Sequence, residues 1–262
     1  MKIVFTDLDG TLLDYDTYSF QAAEEAIIYL KEHDIPVVFC TSKTREEIVY
    51  WKKEIGNNHP FISENGGGVF IPVDYFSFSF QYTKKVDEFY LIRLGERFAK
   101  LQKVMNALEN EYDITSFLQY DVDDLMKEAG LSKLQAKKAL NRDFDIPFIL
   151  HNKHQEKDII KDIKQMKLNV VKGGRFYHLM GENDKGKAVK LLTRLFSKKY
   201  EQLDTIGIGD SENDFPMLNQ VDKAYLVKRK DNSFASSTYK KSDGIGPVGW
   251  QKIIEKEFYL HE

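Results

Sequence analysis

Short apolar runs alternate with amphipathic stretches along much of the chain. Five runs, at residues 3–6, 36–40, 61–63, 205–208 and 224–227, are rich in β-branched and aromatic residues. Continuous apolar runs of this composition are typical of strands that are buried on both faces of a parallel sheet. The pattern therefore predicts an α/β fold in which helices cover a parallel sheet.

Amphipathic helices are predicted between several of these strands. Apolar residues recur at helical spacing around residues 23–30, 48–55 and 188–195, which places them on one face of each helix. Thr44 and Glu47 have the spacing of a capping box, the reciprocal pairing of side chain and backbone that begins a helix. The alternation of strand and helix indicates a doubly wound, Rossmann-like core.

The rhythm changes in the middle of the chain. Residues 81–175 combine strand-like runs with helical patterns, among them a second capping box at Ser132 and Gln135. We therefore expect an inserted α+β module, with residues 1–80 and 176–262 forming the core domain around it.

Composition narrows the class of protein. The 262 residues include 38 Lys and Arg, 41 Asp and Glu, 42% apolar residues and one cysteine, Cys40. A net charge of −3 is too close to neutrality for a protein that binds nucleic acid or an anionic membrane through charge alone. No window reaches the roughly 20 apolar residues of a membrane span, and a single cysteine forms no internal disulfide. We predict a cytoplasmic protein without nucleic-acid or membrane partners, and the oligomeric state stays open.

Polar side chains follow three of the predicted strands. Asp7 and Asp9 follow the first strand, Thr41 and Lys43 follow the second, and residues 209–214 follow the fourth. In an open parallel sheet, ligands bind beyond the carboxyl ends of the strands. These side chains are therefore expected in one cleft.

Carboxylates that meet in one cleft repel each other unless a cation neutralises them. Mg²⁺ prefers oxygen ligands and is commonly held by one or two carboxylates together with water and a substrate phosphate. Asp7 and Asp210 are the natural side-chain ligands. Asp9 can face the same reacting group as Asp7 in a different role, because one carboxylate can attack phosphorus while the other transfers a proton.

Four motifs along the chain resemble those of the haloacid dehalogenase-like phosphatases. They are Asp7-Leu8-Asp9-Gly10-Thr11-Leu12, Thr41 after a strand, Lys185 at the start of a later helix, and Gly209-Asp210-Ser211-Glu212-Asn213-Asp214. The resemblance implies that Asp7 is a nucleophile that forms an aspartyl-phosphate, and that Asp9 is first a general acid and then a general base. It also implies that Thr41 and Lys185 hold the oxygens of the transferred phosphoryl group.

The same resemblance implies a Mg²⁺ site and a cap. Asp7, Asp210 and the backbone carbonyl of Asp9 would hold the ion, while Asn213 and Asp214 would hold its water and orient the lysine of the third motif. The insert lies between the threonine and lysine motifs, which resembles the α/β cap of type C2 in sugar-phosphate phosphatases of this superfamily. Such a cap closes over the cleft and contacts the substrate.

A finer resemblance, to the mannosyl-3-phosphoglycerate phosphatase family, covers nearly the whole chain. It rests on the segments at residues 41–44, 62–67, 142–145, 173–178 and 210–217. The implied reaction removes phosphate from mannosyl-3-phosphoglycerate and leaves mannosylglycerate, a compatible solute. The family sequence after its arginine in the third segment is closer to Glu-Tyr-Ser-Glu, whereas this chain has Asp-Phe-Asp-Ile, which leaves the glycosyl group open.

Contacts to a phosphorylated sugar-glycerate substrate follow from the chemistry of the side chains. A glycerate carboxylate favours a planar or compact cation, so Arg142, Arg175 and Lys43 are candidates. The remaining candidates lie at a strand end in a glycine-rich segment. Glu64 and Asn65 would contact sugar hydroxyls or the glycerate through their side chains, and Gly66 would let the backbone come close to the substrate.

Other interpretations of these patterns stay open. Thr41, Asp210, Asn213 and Asp214 are residue types that commonly cap helices, and the glycines after Asn65 also suit a plain tight turn. Glucosyl-3-phosphoglycerate or another sugar phosphate is an alternative substrate. A phosphosugar mutase or phosphotransferase would return the phosphoryl group to a sugar hydroxyl, and a binding protein would have no catalytic activity.

Overall fold

The computed structural model describes residues 1–173 and 175–259. Within these residues the strands are β1 (Lys2–Thr6), β2 (Val37–Cys40), β3 (Phe61–Ser63), β4 (Gly68–Pro72), β5 (Lys84–Val86), β6 (Phe89–Arg93), β7 (Ile114–Ser116), β8 (Asp145–Leu150), β9 (Asn169–Lys172), β10 (Tyr177–Met180), β11 (Asp204–Gly209), β12 (Lys223–Lys228) and β13 (Lys240–Ile245). The α-helices are α1 (Glu24–Glu32), α2 (Arg45–Ile55), α3 (Phe98–Glu111), α4 (Val122–Ala129), α5 (Lys133–Leu140), α6 (Glu156–Gln165), α7 (Lys185–Lys199), α8 (Phe215–Leu218) and α9 (Pro247–Phe258). None of the helices described is both long and apolar enough to cross a membrane.

The larger sheet of the described residues has nine strands in the order β13-β12-β11-β1-β2-β3-β4-β6-β5. The strands from β13 to β3 run parallel, and the three strands beyond β3 are antiparallel. β1 lies between β11 and β2, with Val4 opposite both Ile206 and Val37. The carboxyl ends of these three strands therefore meet at one edge of the sheet.

Helices cover both faces of the parallel part of this sheet. Successive side chains of a strand point to opposite faces: Val4 packs in a cluster with α1, α2 and α9, whereas Ile3 and Phe5 pack in a cluster with α7 and α8. Since both faces are buried, the strands carry the continuous apolar runs of a parallel sheet. The predicted α/β fold with a doubly wound parallel sheet is confirmed.

A second sheet contains four antiparallel strands in the order β7-β8-β10-β9 among the residues described. α3 and α6 pack on this sheet through apolar side chains that include Leu101 and Ile163. α4 and α5 form a smaller cluster around Leu125. Capping boxes begin both of these short helices, at Asp121 and at Ser132, the second as predicted.

Three strands join a different sheet from the one that the predicted domain ranges imply. β5 and β6 lie in the predicted insert, residues 81–175, but they extend the antiparallel edge of the larger sheet beside β4. β10 lies in the predicted core range 176–262, but it pairs with β8 and β9 in the smaller sheet. Periodicity identifies a strand without identifying its partners, because pairing depends on packing against residues that are distant in sequence. Gly174, which belongs to the motif at residues 173–178, lies outside the described residues.

Candidate active site

A buried lysine joins two carboxylates at the carboxyl edge of the larger sheet. Asp7 follows β1, and its backbone N–H donates to the carbonyl of Ile208 in β11. Nζ of Lys185 lies 2.7 Å from Oδ1 of Asp7 and 2.6 Å from Oδ1 of Asp214. Burial alone would lower the pKa of Lys185, but the charges of Asp214 and Asp7 raise it. Lys185, which is 1% exposed, is therefore an ammonium ion.

The start of α7 places this lysine. Asp184 is the N-cap of α7, and its side chain accepts a hydrogen bond from the N–H of Lys187. Gly66 packs against the same helix start: a Cβ on Gly66 would lie 2.1 Å from the carbonyl oxygen of Asp184. Gly66 also has a φ of +88°, which favours glycine. Glycine at this position is what allows α7 to approach the loop after β3.

Three carboxylates lie together beside Lys185. Asp7, Asp210 and Asp214 each have an oxygen within 4.8 Å of an oxygen of the other two. Burial raises the pKa of Asp7 to about 8; Lys185 opposes this shift, and Asp214 and Asp210 reinforce it. Burial and the charge of Asp214 also raise the pKa of Asp210 to about 7. One ammonium does not neutralise three carboxylates, so the cluster fits a bound hard cation.

Asp210 and Asp214 differ in the oxygens that they can offer to a metal. Oδ1 of Asp214 contacts Lys185, and Oδ2 accepts from the N–H groups of Asp210 and Ser211 at 3.0 and 3.1 Å. Among the described residues, the Asp210 carboxylate accepts from two hydroxyl groups, those of Thr11 at 3.2 Å and Ser211 at 2.8 Å. Asp214 therefore holds Lys185 in place, whereas Asp210 and Asp7 present oxygens to the cavity.

Asp9 forms an ion pair with Lys43, which the sequence analysis assigned to the substrate. Nζ of Lys43 lies 2.9 Å from Oδ2 of Asp9 and 3.5 Å from Oε1 of Glu47, and 5.0 Å from the centre of the Tyr18 ring. Burial alone would lower the pKa of Lys43, but Asp9 and Glu47 raise it. Oδ1 of Asp9 is buried without a hydrogen-bond partner in the described part of the chain. Asp9 and Lys43 both line the cavity.

Thr41 and Asn65 form a buried connection behind the carboxylates. Oγ1 of Thr41 accepts from the N–H of Lys43 at 3.3 Å, and the Thr41 carbonyl accepts from the N–H of Asn65 at 3.0 Å. Oδ1 of Asn65 accepts from Nδ2 of Asn213 at 3.3 Å. Thr41 does not cap the following helix, because Thr44 is the N-cap of α2. Asn65 therefore links the threonine motif to the last acidic motif.

Glu64 is fully buried, with an exposed fraction of 0%. Its carboxylate accepts from the N–H groups of Asp143, Phe144 and Asp145 at 2.7 to 3.1 Å, and Oε2 lies 3.8 Å from Nε of Arg142. Burial raises the pKa of Glu64 to about 8, although Arg142 and the N–H groups oppose this shift. Glu64 thus ties the loop after β3 to the segment before β8 and offers no exposed surface to a substrate in this conformation.

A cavity of about 370 Å³ opens beyond the carboxylates. Arg142 and Arg175 line it from the side of the smaller sheet. Arg142 donates to the carbonyl of Ser42 at 2.6 Å and contacts the carboxylate of Asp145, while the exposed Arg175 donates to the carbonyl of Glu128. The predicted site residues that line this cavity are Asp7, Asp9, Lys43, Arg142, Arg175, Asp210 and Asn213. The predicted site residues that do not line it, within the described ranges, are Thr41, Glu64, Asn65, Gly66, Lys185 and Asp214.

His178 and Tyr18 line the cavity but are absent from the predicted site residues. His178 approaches the site because β10 pairs with β8, which brings its Nδ1 to 2.9 Å from Oδ2 of Asp145. Tyr18 has a φ of +57°, which is unusual for a bulky residue. His178 ends one of the segments that carry the family resemblance, residues 173–178, but that segment alone assigns the histidine no chemical role. Tyr18 lies in none of these segments.

Comparison with known proteins identifies the family. The family model for the haloacid dehalogenase-like hydrolases matches residues 4–239 of the chain. The chain belongs to this family. The four sequence motifs predicted this superfamily, and the prediction is confirmed.

Relatives of this haloacid dehalogenase-like hydrolase match over nearly its full length. A glucosyl-3-phosphoglycerate/mannosyl-3-phosphoglycerate phosphatase of Methanococcoides burtonii is 42% identical over 259 residues, which cover 96% of this chain and 95% of the relative. A mannosyl-3-phosphoglycerate phosphatase of Pyrococcus furiosus is 35% identical and covers 87% of this chain and 91% of its own. The crystal structure of protein 0175 of Thermoplasma acidophilum has a TM-score of 0.71 at 20% identity, covers 99% of both chains, and supports the fold alone.

Proposed function

We propose that the chain is a phosphatase that hydrolyses mannosyl-3-phosphoglycerate and glucosyl-3-phosphoglycerate to the glycosylglycerate and inorganic phosphate. The observation that carries the proposal is the buried Lys185 ammonium between Asp214 and Asp7, the latter of which lines the cavity. Fixed positive charge beside a carboxylate nucleophile stabilises the charge on a phosphoryl group in transfer. The relatives support the substrates, since one is named for both glycosyl esters and another for the mannosyl ester.

Asp7 is the proposed nucleophile and Asp9 the proposed proton donor. A carboxylate oxygen of Asp7 attacks phosphorus and forms an aspartyl-phosphate as the bond to the ester oxygen breaks. Protonated Asp9 gives its proton to that oxygen, so the leaving group departs as an alcohol. Asp9 then takes a proton from a water molecule whose oxygen attacks phosphorus, which releases inorganic phosphate and restores Asp7. Lys185 and the Thr41 hydroxyl are proposed to hold the phosphoryl oxygens.

The carboxylate cluster fits Mg²⁺ by the chemistry of its donors. We assign Asp7, Asp210 and the backbone carbonyl of Asp9 to the ion, and Asn213 and Asp214 to its water. When bound, the ion neutralises negative charge on the phosphoryl oxygens. Asp214 contributes mainly by fixing Lys185, because it contacts that ammonium, is fully buried and, unlike Asp210, does not line the cavity.

The leaving group is proposed to lie between Asp9 and the smaller sheet. Lys43 and Arg175 are the cations that we assign first to the glycerate carboxylate, since both line the cavity. Arg142 lines it as well and is the third candidate. Each of the three cations also contacts protein oxygens: Lys43 those of Asp9 and Glu47, Arg175 that of Glu128, and Arg142 those of Ser42 and Asp145. Three predicted contacts lie behind the cavity and are proposed to act through their neighbours. Glu64 positions the start of β8, Asn65 positions Asn213, and Gly66 allows the close approach of α7.

The part of the chain from α3 to β10 is proposed to form the cap. It contains the smaller sheet and its helices, and it supplies one wall of the cavity. A cytoplasmic location is part of the same proposal, and it is consistent with the single cysteine, Cys40, being buried as a free thiol.

Release of inorganic phosphate from a panel of phosphate esters, with Mg²⁺ present, tests the proposal. We expect the highest kcat/KM for the mannosyl and glucosyl esters of 3-phosphoglycerate and much lower values for simple sugar phosphates. Equal or faster release from simple sugar phosphates would contradict the substrate assignment. An isomerised sugar phosphate without phosphate release would indicate a mutase, and no release from any ester would indicate a binding protein.

A further inference from the structure

One side chain that faces the cavity has no part in the proposed hydrolysis. His178 lies opposite Pro147 of β8 and is 6% exposed. Its Nδ1 lies 2.9 Å from Oδ2 of Asp145. The other ring nitrogen, Nε2, has no hydrogen-bond partner among the described residues and lies toward Gly173, where an added Cβ would be 3.1 Å from it. His178 and Gly173 both line the cavity.

The surroundings of Asp145 decide which nitrogen of His178 carries hydrogen. The Asp145 carboxylate is fully buried and contacts Nε of Arg142, Nδ2 of Asn65 and Nδ1 of His178. Burial alone would raise the pKa of Asp145, but Arg142 and His178 lower it. Since an ionised carboxylate accepts hydrogen bonds and donates none, Nδ1 of His178 is the donor. Nε2 is therefore the ring nitrogen that is available to form a hydrogen bond with a ligand in the cavity.

Two phenylalanines continue the wall on which His178 lies. The N–H of Phe117 donates to the carbonyl of Pro147 at 2.9 Å. The rings of Phe117 and Phe176 are 5.0 Å apart at an interplanar angle of 83°, and both are half-buried. Both line the cavity. An apolar wall with one fixed hydrogen-bonding group is typical of sites that hold a small molecule by its apolar face and orient it through a polar group.

We propose that His178, Phe117 and Phe176 form the subsite for the glycosyl ring. Nε2 of His178 forms a hydrogen bond with a sugar hydroxyl, which can either donate or accept, and the two aromatic rings contact the apolar face of the sugar. The inference rests on the proposed function, because it requires a sugar beyond the phosphoglycerate. Asp145 is then a positioning residue that acts through His178. A site of this kind discriminates against a ligand that lacks the hydroxyl, because the buried nitrogen of the histidine then stays unpaired.

His178→Asn tests the subsite, since the asparagine amide keeps a donor near the position of Nδ1 and removes Nε2. The readout is kcat/KM for mannosyl-3-phosphoglycerate divided by kcat/KM for 3-phosphoglycerate, which lacks the sugar. We expect this ratio to fall about tenfold, as loss of one hydrogen bond predicts. His178→Gln, whose amide reaches the position of Nε2, is expected to recover part of it. His154→Asn, an exposed histidine that does not line the cavity, is the matched control and leaves the ratio unchanged.

Gly173→Ala gives a second test that leaves the histidine in place. Its methyl group would lie 3.1 Å from Nε2, so the same ratio is expected to fall. An unchanged ratio in both variants overturns the subsite, and so does an equal loss on the two substrates, which indicates a structural role. If His178→Asn does not fold, the ratio measured for Gly173→Ala alone tests the subsite, and an unchanged ratio then overturns it. Failure of the proposed function is a separate outcome, in which the unmodified protein itself releases phosphate from neither glycosyl ester.

Discussion

Nζ of Lys185 lies 2.7 Å from Oδ1 of Asp7, although the two residues are 178 positions apart in sequence. Parallel packing of β1 beside β11 and the start of α7 bring them together. The ammonium favours the ionised form of Asp7, whereas burial and the charges of Asp214 and Asp210 favour the protonated form. The nucleophile proposed for this enzyme is therefore buried in a site with more negative than positive charge.

Asp7→Asn is expected to abolish turnover and to leave the fold intact. The amide cannot form an aspartyl-phosphate, so kcat should fall by at least about a thousandfold. Removing one of three mutually repelling carboxylates should leave the Tm in metal-free buffer unchanged or higher. Phosphate release and thermal unfolding monitored by circular dichroism measure the two effects. Activity within tenfold of the unmodified protein would exclude Asp7 as nucleophile.

Mg²⁺ is expected to raise the Tm of the unmodified protein, because a ligand that binds the folded state stabilises it. Asp210→Asn should reduce this rise, since Asp210 and Asp7 are the two carboxylates of the Asp7, Asp210 and Asp214 cluster that line the cavity. Asp204→Asn serves as the control, because Asp204 is exposed at the opposite end of β11. A chelator should remove both the rise in Tm and the phosphatase activity. An equal rise in all three proteins would place the ion elsewhere.

Lys52 is expected to make stability depend on pH above neutrality. Its ammonium donates to the carbonyl of His59 and lies 3.3 Å from Oδ1 of Asn57, and burial lowers its pKa from 10.5 to about 7. Between pH 7 and about 10 the unfolded chain binds the proton more tightly than the folded protein does, so the free energy of unfolding rises with pH.

The difference in free energy of unfolding between the unmodified protein and Lys52→Met isolates this effect, because other titrating groups are common to both. We expect the difference to change by up to a few kcal/mol from pH 7 to pH 10 in favour of the unmodified protein. Lys53→Met, at an exposed neighbouring position, should show no such change. A difference that is independent of pH would contradict the depressed pKa of Lys52.

Gly66→Ala is expected to lower both stability and kcat. The added methyl group would overlap the Asp184 carbonyl, 2.1 Å away, and displace the start of α7 that carries Lys185. Gly130→Ala is the matched control, because Gly130 also has a positive φ, of +69°, but nothing lies within 4 Å of the added Cβ. We expect Gly130→Ala to cost about 1 kcal/mol of backbone strain and to leave kcat unchanged. Similar losses in both variants would show that backbone conformation, and not the contact with α7, is what matters at position 66.

Local patterns were sufficient for the central strands and for the polar residues that follow them. The five predicted strands are adjacent members of the parallel sheet, and the capping boxes at Thr44 and Ser132 begin helices as expected. Such features depend on neighbours within about four residues or on burial of a whole strand, and both leave a record in the order of residue types.

Contacts between segments that are distant in sequence could not be predicted from local patterns. Glu64 was predicted to contact sugar hydroxyls or the glycerate. In the structure its carboxylate accepts hydrogen bonds from the backbone N–H groups of residues 143–145, at the start of β8 and about 80 residues away in sequence. Lys43, which we assign to a carboxylate of the substrate, also forms an ion pair with Asp9 that its position in the sequence did not indicate. A carboxylate or an ammonium has the same chemistry in a substrate site and in a buried ion pair, so residue type alone does not separate the two.

The sequence by itself determined the five central strands, the edge at which the carboxylates that follow them meet and the chemistry that those residue types allow. Apolar runs and the polar residues after them are local features of residue order, and the alternation of strand and helix favours parallel pairing. Tertiary structure decided that Lys185 bridges Asp7 and Asp214, that β5 and β6 extend the larger sheet, and that His178 lines the cavity. These relationships depend on which distant segments pack together, and packing is settled by shape and burial across the whole chain.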